Sequence, residues 1–254
     1  SFPTRRSSDL FLFLFLLGAI YVYRSLVKQL KYSNQQQNFM MAVTHELKTP
    51  IAVTQLNLET LQKRKLEPAQ QDKIIASTLQ EANRLNMLCN NILLASQLDS
   101  KAYKESRIEI NVSDLVEGCI DSFKQHYPAR VVVEEIEPAL YLDGETLLLQ
   151  MLVNNLLENA HKYAPQDTDI TVVLAQKVSA IELLVIDNGK GIPDIEKPKI
   201  FEKFYRIGSE ATRNTKGTGL GLYLCKKIAQ NHNANISVTD NKPQGSKFVV
   251  TFNS

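Results

Sequence analysis

His45 lies in the stretch FMMAVTHELKTP, Phe39 to Pro50, where an imidazole, the Glu46 carboxylate and the Thr49 hydroxyl fall within a turn and a half of helix. Around it Met40, Val43, Leu47, Ile51, Leu58 and Leu61 recur in helical steps and form one apolar stripe. His45 is two residues from both Val43 and Leu47, about 200° around the helix from either. It is therefore expected to face solvent. Pro50 cannot donate to the Glu46 carbonyl, so a bend is expected just below the histidine. An exposed imidazole beside a carboxylate suits chemistry on a helix surface, although the stretch alone also suits a solvated histidine.

A second set of polar groups stands downstream. Asn155, Asn159, Lys162 and Tyr163 are spaced i, i+4, i+7 and i+8, which puts them on one helix face. Two carboxamides, an ammonium and a phenol suit a hydrated Mg²⁺, a phosphate and an aromatic base. DNGKGI, Asp187 to Ile192, follows directly on the strand-like Leu183–Ile186. Asp187 there can accept from an exocyclic amine such as that of adenine, and Gly189 and Gly191 let the backbone come close to a ligand. KGTGLGL carries Lys216, Gly217, Thr218, Gly219, Leu220 and Gly221 into a helix, and its turns can aim backbone N–H groups at anions. Between the two glycine runs, Ile200–Arg206 (IFEKFYR) and the polar stretch to Thr215 read as a mobile lid. Neither run fits a P-loop or a Rossmann fingerprint.

These groups need elements to hold them. Two long amphipathic helices, separated by QKRKLEPAQQ, form a hairpin; the second carries Ile75, Ala82, Leu85, Cys89 and Ile92 on one face, widened by Leu79, Leu88 and Leu93. One hairpin cannot bury so wide a stripe, so a four-helix bundle in a homodimer is expected. From residue 107 strands and helices alternate. Strands are expected at Arg107–Val112, Val131–Ile136, Ala139–Leu142, Ile170–Leu174, Ile181–Ile186, Ile236–Thr239 and Lys247–Phe252. Ser113 is the expected N-cap of a helix stopping before Pro128, Asp143 opens a long helix through Tyr163, and another helix runs to about Asn231. The fold class is α+β: a helical hairpin at 38–104, then an α/β sandwich at 107–254.

The ends and composition add boundaries. SFPTRRSSD (residues 1–9) joins no downstream pattern and is read as a non-native prefix. Leu10–Tyr23 is uninterrupted apolar sequence followed by Arg24, Lys28 and Lys31, which reads as part of a transmembrane helix with its basic flank in the cytoplasm. Residues 24–37 form a juxtamembrane helical linker. With 29 basic and 27 acidic side chains and a formal charge of +2, nothing marks a nucleic-acid partner. The three cysteines, Cys89, Cys119 and Cys225, lie far apart in apolar helical patterns and are expected to be small core residues of a protein in a reducing compartment. His126, His161 and His232 are expected to have no direct chemical role.

The order HELKTP, NNLLENAHKY, DNGKGI, FEKFYR, KGTGLGL resembles the sensor histidine kinases of two-component systems, from about Gln35 to the end. The resemblance implies that His45 is the phosphoacceptor, Glu46 its acid–base neighbour and Thr49 a residue that positions water for dephosphorylating the partner. It implies ATP and Mg²⁺ as cofactors. Asn159, with Asn155, would serve the metal; Lys162 and Arg206 the phosphates; Tyr163 and Asp187 the adenine. Gly189, Gly191, Gly217, Gly219 and Gly221 would shape the pocket and lid, within a binding segment spanning Lys216, Thr218 and Leu220. The implied partners are a second copy, an aspartate on a separate response regulator and the inner (plasma) membrane, with the kinase core facing the cytoplasm. Two departures, NHNAN at Asn231–Asn235 and QGS before the last strand, touch only local turns. Two other readings are an ATP hydrolase of the gyrase and heat-shock chaperone type and a degenerate kinase that only docks. Asn155 stands where those hydrolases carry a glutamate and cannot act as a base, while Glu158 is expected about 100° off the Asn159 direction.

Overall fold

The computed structural model describes residues 4–98, 107–208 and 218–253. Two helices come first: α1 (Thr4–Lys63), which runs through Pro50 without ending, and α2 (Pro68–Gln97), which starts with its proline in the first turn. They are joined side by side by Asn57 Nδ2 donating to Ser77 Oγ at 3.4 Å and by an Arg84–Glu46 ion pair. Residues 10–34 of α1 are exposed, and this end of the helix is long and apolar enough to cross a membrane by length and composition.

The buried face of the hairpin is turned from the expected stripe. Phe39, Ala42, Val43, Glu46 and Pro50 are buried, whereas Met40, Ile51 and Leu58 are more than half exposed. The reason is division of labour: one helical surface meets α2 and the downstream domain, and the apolar side chains beyond it are left largely uncovered among the described residues. Ile75, Ala82 and Cys89 on α2, seven residues apart, are exposed in the same way. Cys89 is thus a surface residue in a single chain, contrary to expectation, while Cys119 and Cys225 are buried.

The second domain begins with β1 (Ile108–Asn111) and α3 (Val112–His126), followed by β2 (Val132–Ile136), β3 (Tyr141–Gly144) and α4 (Thr146–Tyr163). It continues with β4 (Ile170–Lys177), β5 (Ala180–Ile186), α5 (Gly221–Asn231), β6 (Ala234–Asp240) and β7 (Ser246–Asn253). Five strands form a sheet in the order β2-β4-β5-β7-β6, with β2–β4 parallel and the other pairs antiparallel; β1 and β3 form a separate ribbon. Alternate residues such as Ile170, Val172, Leu174, Leu183, Val185, Phe248 and Val250 are buried in one core with Leu152, Leu156, Leu157, Leu224 and Ile228 of the helices. The result is the expected α/β sandwich.

Three local expectations are corrected. Asp143 does not open a helix: it pairs with Glu109 in the β1–β3 ribbon, which extends to Gly144, and α4 starts at Thr146. A Cβ at Gly144 would lie 2.8 Å from the His232 ring, so the close approach needs glycine. Asn111, not Ser113, caps α3 by accepting from the Asp114 N–H; the Ser113 hydroxyl instead donates to the Glu137 carbonyl and accepts from Leu140 N–H. His232 is buried. Its Nε2 accepts from the Glu145 N–H and its Nδ1 lies 2.8 Å from the Ile228 carbonyl, which fixes a neutral ring linking α5 to the start of α4. At the glycine-poor NHNAN turn, Asn233 adopts φ 54°, a conformation asparagine tolerates.

Candidate active site

His45 is exposed on α1, as its spacing predicted, and its backbone carbonyl accepts from Thr49 Oγ1 at 3.3 Å. Pro50 has no N–H to offer the carbonyl of Glu46, one residue further on. Glu46 is buried instead of sharing the exposed face, and its Oε2 accepts from Arg84 Nη2 of α2 at 2.8 Å.

The downstream polar groups converge on one cavity of about 470 Å³. Asn155, Asn159, Lys162 and Tyr163 line it from α4; Asp187 and Gly191 from the end of β5; Arg206 from the lid root; and Thr218, Gly219 and Gly221 from the start of α5. Leu220 turns into the core, 1% exposed, so only its backbone remains for a ligand. Lys216 and Gly217, with residues 209–215 of the expected lid, lie outside the described residues.

Asp187 anchors the floor. Only 3% exposed, its Oδ1 accepts from Gly189 N–H at 2.7 Å and Ser246 N–H at 3.2 Å. Burial pushes its carboxyl above the ordinary aspartate range, and these bonds partly oppose the shift. A Cβ on Gly189 would lie 2.7 Å from the Tyr163 carbonyl oxygen, so glycine lets the β5 loop close on the end of α4. At the opposite end, Asn155 Nδ2 donates to the Met151 carbonyl at 2.7 Å, which points its Oδ1 toward Gly221. A Cβ on Gly221 would come within 2.9 Å of that oxygen and 3.9 Å of Asn159 Nδ2. The space it leaves beside two carboxamides, at a helix N-terminus without a side-chain cap, fits a hydrated hard cation and phosphate oxygens. Among the described residues no group of three or more His, Cys, Asp or Glu could hold a metal, so such a cation would rest on carboxamide, water and ligand oxygens.

Sequence reasoning missed several residues here. Glu158 does line the cavity, but Tyr127 Oη donates to its two oxygens at 3.2 and 3.1 Å. Burial raises the Glu158 carboxyl, and burial together with the Glu158 charge pushes the Tyr127 phenol up to about 12. Its signal was its place at i+3 from Asn155. Ser246 and Phe248 enter from β7, and Asn91 from α2, which only the fold could bring there. Nearby, the buried Arg130 donates to the carbonyls of His161, Ala164, Pro165 and Thr168, closing the loop after α4. His161 stacks on Tyr127 at 3.9 Å, a packing role.

The lid root also touches the first helix. Phe204, at φ 67°, stacks on Phe39 with ring centroids 4.1 Å apart, and Lys31 lies 3.6 Å from Glu202. The segment leading into Tyr205 and Arg206 of the cavity wall is therefore in direct contact with the His45 helix within one chain.

Residues 35–101 match the His Kinase A (phospho-acceptor) domain, and residues 144–254 match the histidine kinase-, DNA gyrase B-, and HSP90-like ATPase family. The chain belongs to the sensor histidine kinases of two-component systems. It is 35% identical over 245 residues to the sensor protein CiaH of Streptococcus pneumoniae, covering 94% of this chain and 54% of that protein. The sensor histidine kinase WalK of Bacillus subtilis is 30% identical over 92% of this chain and 39% of its own length. The chain thus spans about half the length, or less, of these curated relatives. Acinetobacter baumannii histidine kinase AdeS shares the fold, with a TM-score of 0.59 at 18% identity over 82% of this chain and 97% of that one.

Proposed function

We propose that this kinase-family chain phosphorylates its own His45 from Mg-ATP and passes the phosphoryl group to an aspartate of a separate response regulator. The observation that carries this reading is an exposed imidazole on the same chain as a cavity whose buried Asp187 and paired Asn155 and Asn159 suit the two ends of ATP. Asp187 accepts the adenine amine and Tyr163 packs on the base. Lys162, Arg206 and the start of α5 hold phosphate oxygens. Asn159 and Asn155 would hold Mg²⁺, which supplies positive charge to the phosphate oxygens.

In its neutral form an imidazole keeps a lone pair on one ring nitrogen. One ring nitrogen attacks the γ-phosphorus in line while Glu46 takes the ring proton. Thr49 positions water for the reverse task, dephosphorylating the regulator. Residues 38–104 serve as dimerisation and phosphotransfer domain and 107–254 as the ATP-binding domain. The exposed Ile51, Leu58, Ile75 and Leu79 supply the homodimer surface. Residues 10–23 anchor the chain in the inner (plasma) membrane and 24–37 link the anchor to a cytoplasmic core.

Hydrolysis as the main task is disfavoured: Asn155 is no base, and Glu158, the carboxylate nearest it on α4, is bonded to Tyr127. Incubation with γ-labelled Mg-ATP tests the proposal. Acid-labile, base-stable label that His45→Gln abolishes supports it. Phosphate release without protein label would support a hydrolase, and no turnover a docking protein.

A further inference from the structure

Arg84 stands on α2 where the hairpin meets the ATP-binding domain, within ion-pair reach of carboxylates on α1 and on its own helix. Its Nη2 donates to Glu46 Oε2 of α1 at 2.8 Å, and its Nη1 lies 3.8 Å from Glu81 Oε2 on its own helix. Its charge also reaches Glu158 and Tyr127, favouring the ionised form of each. Asn91, seven residues along and so on the same face of α2, lines the cavity together with Glu158. This face of α2 therefore looks at once toward Glu46 and toward the cavity. His45 is exposed, while Glu46, about 100° around the helix from it, is buried. Among the described residues the Glu46 carboxylate is paired across the hairpin and not with the imidazole.

We propose that Arg84 is a positioning residue, a latch that holds Glu46 on the α2 side of the hairpin and lets it go to His45 when the guanidinium moves over to Glu158. The inference rests on the kinase reading. In the transfer step a ring nitrogen of His45 bonds to the γ-phosphorus, and the bond from that phosphorus to the β–γ bridging oxygen breaks. ADP leaves with the electron pair, and the ring proton passes to Glu46. A carboxylate committed to Arg84 cannot reach that proton, so the pair must open first. Moving Arg84 to Glu158 also neutralises a carboxylate that otherwise faces a triphosphate in the same cavity, so ATP binding and latch release favour each other.

The test measures kcat and KM for His45 autophosphorylation by the full chain in detergent, comparing the parent, Arg84→Gln, Arg84→Lys, Glu158→Gln and the Arg84→Gln/Glu158→Gln double variant. Arg84→Gln should raise kcat about fivefold, the weight of one partly exposed ion pair. Arg84→Lys restores a cation and should return kcat toward the parent. Glu158→Gln removes the alternative partner and should lower kcat, while the double variant should match Arg84→Gln alone. A fall in kcat for Arg84→Gln, no change, or additive effects in the double variant would overturn the latch. If Arg84→Gln does not fold, Glu158→Gln decides by itself: an unchanged or raised kcat refutes the proposal. Absence of His45 label in the parent would sink the kinase reading instead, a separate outcome.

Discussion

The buried Asp187 does two jobs that separate cleanly on substitution. Its Oδ1 accepts the Gly189 and Ser246 N–H groups and so shapes the loop after β5, and the carboxylate lines the cavity. Asp187→Ala strands both donors. At about 1–3 kcal/mol for each buried group left unsatisfied, the loss should be about 3 kcal/mol. For a domain of this size that lowers Tm by roughly 10 °C. Asp187→Asn keeps an oxygen acceptor in place, so its stability should stay within about 1 kcal/mol of the parent. It does, however, replace a charged acceptor in the cavity by an amide, and ATP affinity should fall roughly 50-fold. The sign of the pH effect follows from the raised carboxyl. A proton is held more tightly in the folded state, so this group's contribution to stability is full below its unfolded pKa and is lost as pH rises through the folded value. Asp187→Asn should therefore gain on the parent as pH rises through that window. ATP binding by the parent should decline on acidification at a pH above the ordinary aspartate range. Differential scanning calorimetry of the apo protein and titration calorimetry with ATP read both. The reasoning is refuted if Asp187→Ala melts with the parent, or if Asp187→Asn binds ATP as tightly.

Arg130→Ala removes a buried guanidinium from the carbonyls that close the loop after α4, and urea unfolding should show a loss of about 3 kcal/mol. Gly219→Ala places a side chain at φ 73° with its Cβ 2.9 Å from the Phe204 carbonyl carbon and the Tyr205 carbonyl oxygen. A cost of about 3 kcal/mol from backbone strain and crowding should appear as a lower Tm and weaker nucleotide binding. Leu79→Glu puts a charge on the uncovered face of α2 and should convert a dimer to a monomer in multi-angle light scattering. Unchanged mass would show that this face is not the dimer surface.

Much of the site was legible because helix and strand periods fix directions. The spacing of Asn155, Asn159, Lys162 and Tyr163 predicted one face, and all four line one cavity. The exposure of His45 followed from the same arithmetic. What could not be read depended on partners far away in sequence. Glu46 looked like a companion of His45, but an arginine 38 residues later draws its carboxylate under the hairpin. Asp143 looked like a helix opener until the Glu109 strand claimed it. Ser113 looked like a cap but spends its hydroxyl on the loop between β2 and β3, and Asn111 caps in its place. Asn91 is separated from the rest of the cavity by a domain boundary, so no local pattern could assign it.

The first helix is unbroken from its apolar start to beyond His45. Tyr23 and His45 are separated by roughly 33 Å of rod, at about 1.5 Å of rise and 100° of rotation per residue. Twisting the outer end therefore re-aims the imidazole by the same angle, and length alone sets the phase between them. Evolution could retune that phase only by adding or removing residues in the connecting segment, where seven at a time nearly restores the original bearing and one at a time spins it to a different quadrant.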